Sequence, residues 1–208
     1  MFYKIIKEFF LKKNVTKRLL KQHSPFVQNK IKTIGILVDE TYFSNTSALV
    51  EQICLQGFQK EQISVLVYKD RIKSKEEITS PFVALKNISW AGEINKSEVN
   101  DFIAIPFDLL INYYDVNKYP LLLLSAQSKA TFKVGFESVD KRVNHFIIKA
   151  VVAQYEAFTY ELIKYLKIVF FVFSYSSKYT TLSMPMFTCS ETINNAFCVA
   201  AKASSGLL

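Results

Sequence analysis

Four acidic residues stand where an α/β fold does its chemistry. Asp39, Glu40, Asp70 and Asp115 each follow a short apolar run that reads as a strand. Open α/β sheets bind ligands outside the carboxyl ends of their strands, where the strand order reverses. Carboxylates on that rim can accept from a ribose hydroxyl, hold a divalent ion or pair with an amine. The same residues also have a plain role, since aspartate caps helices and turns. Asp115, just ahead of a helical stretch, fits that plain role best. The four define a candidate ligand rim without defining a reaction.

Other motif chemistry is thin. There is neither GxGxxG nor GxxxxGK[ST], and the five glycines (35, 57, 92, 135 and 206) are scattered, so the familiar phosphate cradles are excluded. His23 and His145 lie far apart, without HExxH or GxSxG. Cys54, Cys189 and Cys198 make no CxxC pair and no Cys/His cluster, which points to a reducing, cytoplasmic setting. Cys54 reads as a core residue, His145 as structural and Trp90 as a satellite of the core. No catalytic residue, metal or cofactor is assigned, and the reading leans away from an enzyme.

The charge pattern says more. Lys4, Lys7, Lys12, Lys13, Lys17, Arg18, Lys21, Lys30 and Lys32 face a single acid, Glu8, and so account for the whole formal net charge of +8. The rest of the chain balances to zero. A neutral body with a basic, aromatic-rich N-terminal arm points at an anionic partner. One candidate is RNA or a ribonucleoprotein, with lysines on phosphates and Phe or Tyr stacked on bases. Another is an anionic membrane surface, entered by Phe2, Ile5, Ile6, Phe9 and Phe10. The competing expectation is that this apolar face packs on the body and the lysines are simply solvated.

The elements that must position these residues follow from periodicity. Phe2 to about Gln22 has a helical pattern, with Phe2, Ile5, Ile6, Phe9 and Leu20 on one face, and His23-Ser24-Pro25 ends it. Ile31–Val38 and Ile63–Tyr68 read as buried strands around a helix over Ser44–Leu55, a right-handed β-α-β unit. Residues 69–79 read as a charged loop, Leu85–Trp90 as a short strand and Ser97–Phe102 as a helical turn. Strands are expected over Asp108–Tyr113, Phe132–Phe136 and Phe146–Lys149. Helices are expected over Asn117–Ser128, capped by Asp115, and over Tyr155–Ile168, with Phe158, Leu162, Tyr165 and Leu166 inward. Continuous apolar strands alternating with helices predict a Rossmann-like three-layer α/β sandwich around a mostly parallel sheet. The longest apolar run near the C-terminus, Ile168–Phe173, falls far short of the roughly 20 residues a membrane span needs.

Four segments carry a resemblance: NKIKTIGILVDE (Asn29–Glu40), DLLINYYDVNKYPLLLLSAQSKATFKVGF (Asp108–Phe136), VDKRVNHFIIK (Val139–Lys149) and FTYELIKYLKI (Phe158–Ile168). Together they resemble a bacterial family of unknown function over about residues 1–168, which implies no activity and no site residue. A fold-only likeness to the N-terminal half of heptosyltransferase-like glycosyltransferases lacks their Gly-containing first loop and leaves no room for their second domain. From Val169 onward charges are reduced to Lys178, Glu191 and Lys202. Two readings of that tail stand, read-through from a shifted frame or a genuine extension.

The expected organisation is thus a basic helix over 1–28, an α/β domain over 29–168 and an atypical tail over 169–208. The expected function is a non-catalytic module whose arm binds an anionic partner. The alternative is a small enzyme or glycosyltransferase-like remnant using the acidic rim.

Overall fold

A computed structural model of the chain describes residues 2–19, 31–70 and 80–179, with side chains between Lys7 and Ile168. Residues through Lys164 form one compact unit and residues from Tyr165 a second. In the first unit the apolar runs do become strands: β1 (Ile34–Asp39), β2 (Ile63–Tyr68), β3 (Phe82–Val83), β4 (Leu109–Tyr113), β5 (Phe132–Phe136) and β6 (Phe146–Ile148). They form one six-stranded sheet in the order β3-β2-β1-β4-β5-β6, and every pairing is parallel. β1, β4 and β5 are buried along their whole length. A parallel sheet covered on both faces requires that, which is why these strands read as mostly apolar runs.

Helix α1 (Phe2–Leu19) precedes the sheet; α2 (Thr46–Leu55), α3 (Ser97–Ala104) and α4 (Tyr119–Gln127) connect strands, and α5 (Tyr155–Tyr179) follows β6. Neighbouring residues of β4 show the layering. Asn112 donates to Ser125 of α4, whereas Tyr113 packs edge-on against Phe158 at the start of α5, 5.1 Å between ring centres. α4 and the first turns of α5, around Phe158, therefore cover opposite faces. Right-handed crossovers place α3 with α4, and α2, which runs the other way across the sheet, with α5. Phe43, Tyr113, Phe136 and Phe158 form a continuous aromatic core on the α5 side.

Several boundaries differ from expectation. The stretch expected as a strand at Leu85–Trp90 begins as a 3-10 turn, Leu85–Asn87, and the edge strand lies just before it at Phe82–Val83. Asp115 does not cap α4. The helix starts at Tyr119 with Lys118 in the cap position and Pro120 in the first turn, because the residue before a proline is held extended or at a helix edge. α5 continues to Tyr179, past the expected end at Ile168. The loop expected over 69–79 falls largely outside the described residues, as does the tail from residue 180.

Candidate functional site

The strand order reverses between β1 and β4, so the crevice beyond their carboxyl ends is the natural ligand position. β1 delivers Asp39, only 3% exposed, to its mouth. The chain turns at once, with Thr41 N–H donating to Asp39 Oδ1 (3.0 Å). Beside it, β2 ends in Tyr68, whose hydroxyl donates to Asp70 Oδ1 at 2.9 Å. Burial first, and then the Asp70 carboxylate, push the Tyr68 hydroxyl far above its usual range, so it stays a donor.

Lys118, from the loop entering α4, ties this rim together. Its Nζ lies 2.7 Å from Asp39 Oδ2 and 3.1 Å from Asp70 Oδ2. Asp70 accepts a hydrogen bond from it, whereas the Asp39 contact is a charge pair outside hydrogen-bond angles. The same ammonium sits over the rings of Tyr42 (4.5 Å) and Tyr68 (5.2 Å). Glu40 pairs with Lys69 at 3.1 Å and accepts from the Thr46 hydroxyl. The expected rim is therefore assembled in three of its four members, and each of the three meets a lysine. Asp115 stands apart, with no hydrogen bond or ion pair of its side chain among the described residues.

Above the rim lies a cleft of about 190 Å³ lined by Tyr42, Tyr68, Asp70, Asn117, Lys118 and Tyr119 among others. A divalent ion between Asp39 and Asp70 would have to displace Lys118. Among the described residues no group of three or more His, Cys, Asp or Glu is placed to hold a metal.

Helix α1 is the second candidate. Its buried face is Lys7, Leu11, Val15 and Leu19, spaced four residues apart in one stripe, and this stripe faces α4. Lys7 is 2% exposed and donates to the Leu85 carbonyl at 2.8 Å, so this expected partner contact is turned inward. Phe9, which the sequence allowed either to pack on the body or to face outward, is 66% exposed. Lys12, Lys13, Lys17 and Arg18 are exposed as expected. The side chains of Phe2, Lys4, Ile5 and Ile6, and the whole of Leu20 and Lys21, lie outside the described residues.

Phe9 does not stand alone on the outward side. Phe10, 45% exposed, packs edge-on against it at 5.9 Å. Trp90, 37% exposed, packs edge-on against Phe10, also at 5.9 Å. Asn14 Nδ2 reaches the Trp90 carbonyl at 3.4 Å and pins the turn carrying Trp90 to the helix. Two chain segments thus build one exposed aromatic patch beside the exposed lysines.

A third polar group lies inside. Lys133 of β5, 4% exposed, donates to the Ser125 carbonyl, and burial lowers its pKa to about 8. His145 Nδ1 accepts from the Lys133 N–H, and burial with the Lys133 charge lowers its pKa to about 4. Asn112 bridges Ser125 and Asn144. A Cβ on Gly135 would collide with the Asn144 amide, which explains a glycine inside β5. Lys133, Asn112, Ser125 and Asn144 of this group are buried, His145 is half-buried, and none of them lines the cleft.

These features define an α/β domain with Rossmann-type strand order, a charge-paired rim at its switch point and a basic-aromatic helix face. The chain matches the model of a family of unknown function, DUF6913, over residues 7–169, and it belongs to that family. No curated protein matches it, and no solved structure does.

Proposed function

We propose that this domain is a non-catalytic binding module that docks on an anionic partner through the outward face of α1. The observation that carries this reading is the fate of charge on that helix. Lys12, Lys13, Lys17 and Arg18 are exposed and have no ion-pair partner among the described residues, while the opposite face is already committed to the body. Cations held on a fixed helix face raise the local concentration of a polyanion and speed its encounter. The reducing setting argued from the cysteines makes the cytoplasm the proposed compartment.

The test is retention on immobilised heparin and binding to single-stranded RNA and anionic vesicles across a salt series. The triple variant K12Q/K13Q/K17Q should weaken all salt-dependent binding and flatten its salt slope on single-stranded RNA by about two. Equal binding by the triple variant and the parent would sink the proposal.

A second reading, a small-molecule site at the acidic rim of Asp39, Glu40 and Asp70, is favoured by one observation: a cleft lined by Asp70 and Lys118 lies beyond the strand ends, near the point where the strand order reverses. Asp115 belongs to that reading only through its place after β4. Crystals soaked with nucleosides and small amines would test it, and an empty cleft at saturating ligand would count against it.

A further inference from the structure

We infer that the anionic partner is a lipid bilayer surface, into which the Phe9–Phe10–Trp90 cluster dips while Lys12, Lys13, Lys17 and Arg18 hold the headgroups. This inference rests on the reading of α1 just proposed and adds the partner's class. Its ground is the way the three rings meet. Phe9 and Phe10 stand at 84° and Phe10 and Trp90 at 74°. Two edge-to-face contacts join the three rings into one contiguous apolar knob. Base stacking is served by separate rings set along a groove that follows the strand, whereas insertion into a bilayer interface needs contiguous exposed apolar area rimmed by cations.

Placement agrees with composition. Large apolar side chains exposed singly need no explanation, but a contiguous group of them marks an interaction surface. Tryptophan and phenylalanine suit the headgroup boundary, and lysine stems extend past them toward phosphate. Docking of the Leu11–Val15–Leu19 stripe on the body, with the Asn14–Trp90 bond, presets the knob, so little ordering remains to be paid on binding. Among the described residues no helix is long and apolar enough to cross a membrane, so attachment through this patch stays at the surface.

Trp90 is the chain's one tryptophan, and its emission reads the knob directly. The full chain is titrated with mixed phosphatidylglycerol–phosphatidylcholine vesicles and, separately, with pure phosphatidylcholine vesicles and poly(U). Trp90 emission is expected to shift to the blue only with the anionic vesicles and to be quenched by acyl-chain bromination. F9S/F10S should weaken vesicle binding about tenfold or more while its heparin retention stays close to the parent's. Vesicle binding without a blue shift, or unchanged in F9S/F10S, overturns the lipid inference. So does binding confined to poly(U), which leaves the α1 reading standing with RNA as the partner. Failure to bind vesicles, heparin and poly(U) alike overturns both. Because Phe9 and Phe10 are exposed, F9S/F10S should unfold like the parent, and its circular dichroism spectrum checks this.

Discussion

The rim of the sheet and the outward face of α1 are both rich in charge, yet they spend it differently. At the rim, Asp39 and Asp70 share Lys118, and Glu40 takes Lys69. Charge there is partly or fully covered, paired and structural first. On α1, Lys12, Lys13, Lys17 and Arg18 project without a described counter-ion beside exposed rings. Charge there contributes little to the fold beyond the favourable place of Lys17 and Arg18 in the helix's last turn. A carboxylate at a strand end is therefore weak evidence of function until its partner is known, while an unpaired cation on a docked helix is stronger evidence.

The largest expected effect comes from breaking the rim. Lys118→Met leaves the 3%-exposed Asp39 beside Asp70 without its cation, which should cost about 3 kcal/mol of stability. Urea denaturation measures it. Adding Asp39→Asn should restore a good part of that loss, since the uncompensated charge goes with it. If the two losses simply add, Lys118 and Asp39 are not coupled and the rim is no ion-pair site.

Lys133 sharpens the contrast from the inside, because its charge is buried with a carbonyl as its bonding partner. Its pKa falls from 10.5 unfolded to about 8 folded. Between those values the unfolded chain binds more protons, so stability should climb as pH rises through that window, by about 3 kcal/mol. Lys133→Met should be more stable near neutrality and lose that rise. His145 works in the acid range. Its pKa drops from 6.5 to about 4, so its contribution is present above 6.5 and disappears as pH falls toward 4. Denaturation midpoints across pH, for the parent and Lys133→Met, check both windows.

Much of the body was legible because parallel strands covered on both faces leave mostly apolar runs: ISVLVY, LLINY and FKVGF, each with a single polar residue before its last position, needed no partner to be read. The strand order was not, since register and neighbours depend on contacts between distant segments. The rim was half legible. Asp39 and Asp70 could be placed at strand ends, but Lys118 lies 48 residues beyond Asp70 and nothing local marks it except its position before Tyr119-Pro120 at a helix start. The facing of α1 stayed open for a related reason. The widest apolar arc, running through Phe9, suited either a buried side or an outward one, whereas Leu11, Val15 and Leu19 form a narrower ridge at four-residue spacing that fits against another helix. A wheel reports where apolar residues lie without saying which neighbour awaits them.

The smallest stability effect is expected where the functional effect is largest. Lys12, Lys13 and Lys17 are exposed and make no described ion pair, so changing each to glutamine should move stability by no more than about 0.5 kcal/mol. Helix propensity barely changes between lysine and glutamine, and the Leu11–Val15–Leu19 stripe is untouched. Polyanion binding should nevertheless fall with each cation removed, most steeply at low salt where the Debye length is longest. Lys7→Gln is the internal control. It lies on the same helix but is 2% exposed and bonded to the Leu85 carbonyl. Its loss should lower stability by about 1 kcal/mol and leave the salt slope of binding intact. If instead the Lys7 variant changes the slope as much as the outer lysines do, charge on α1 acts through its total and not through its outward face. The distinction between spent and presented charge would then fail.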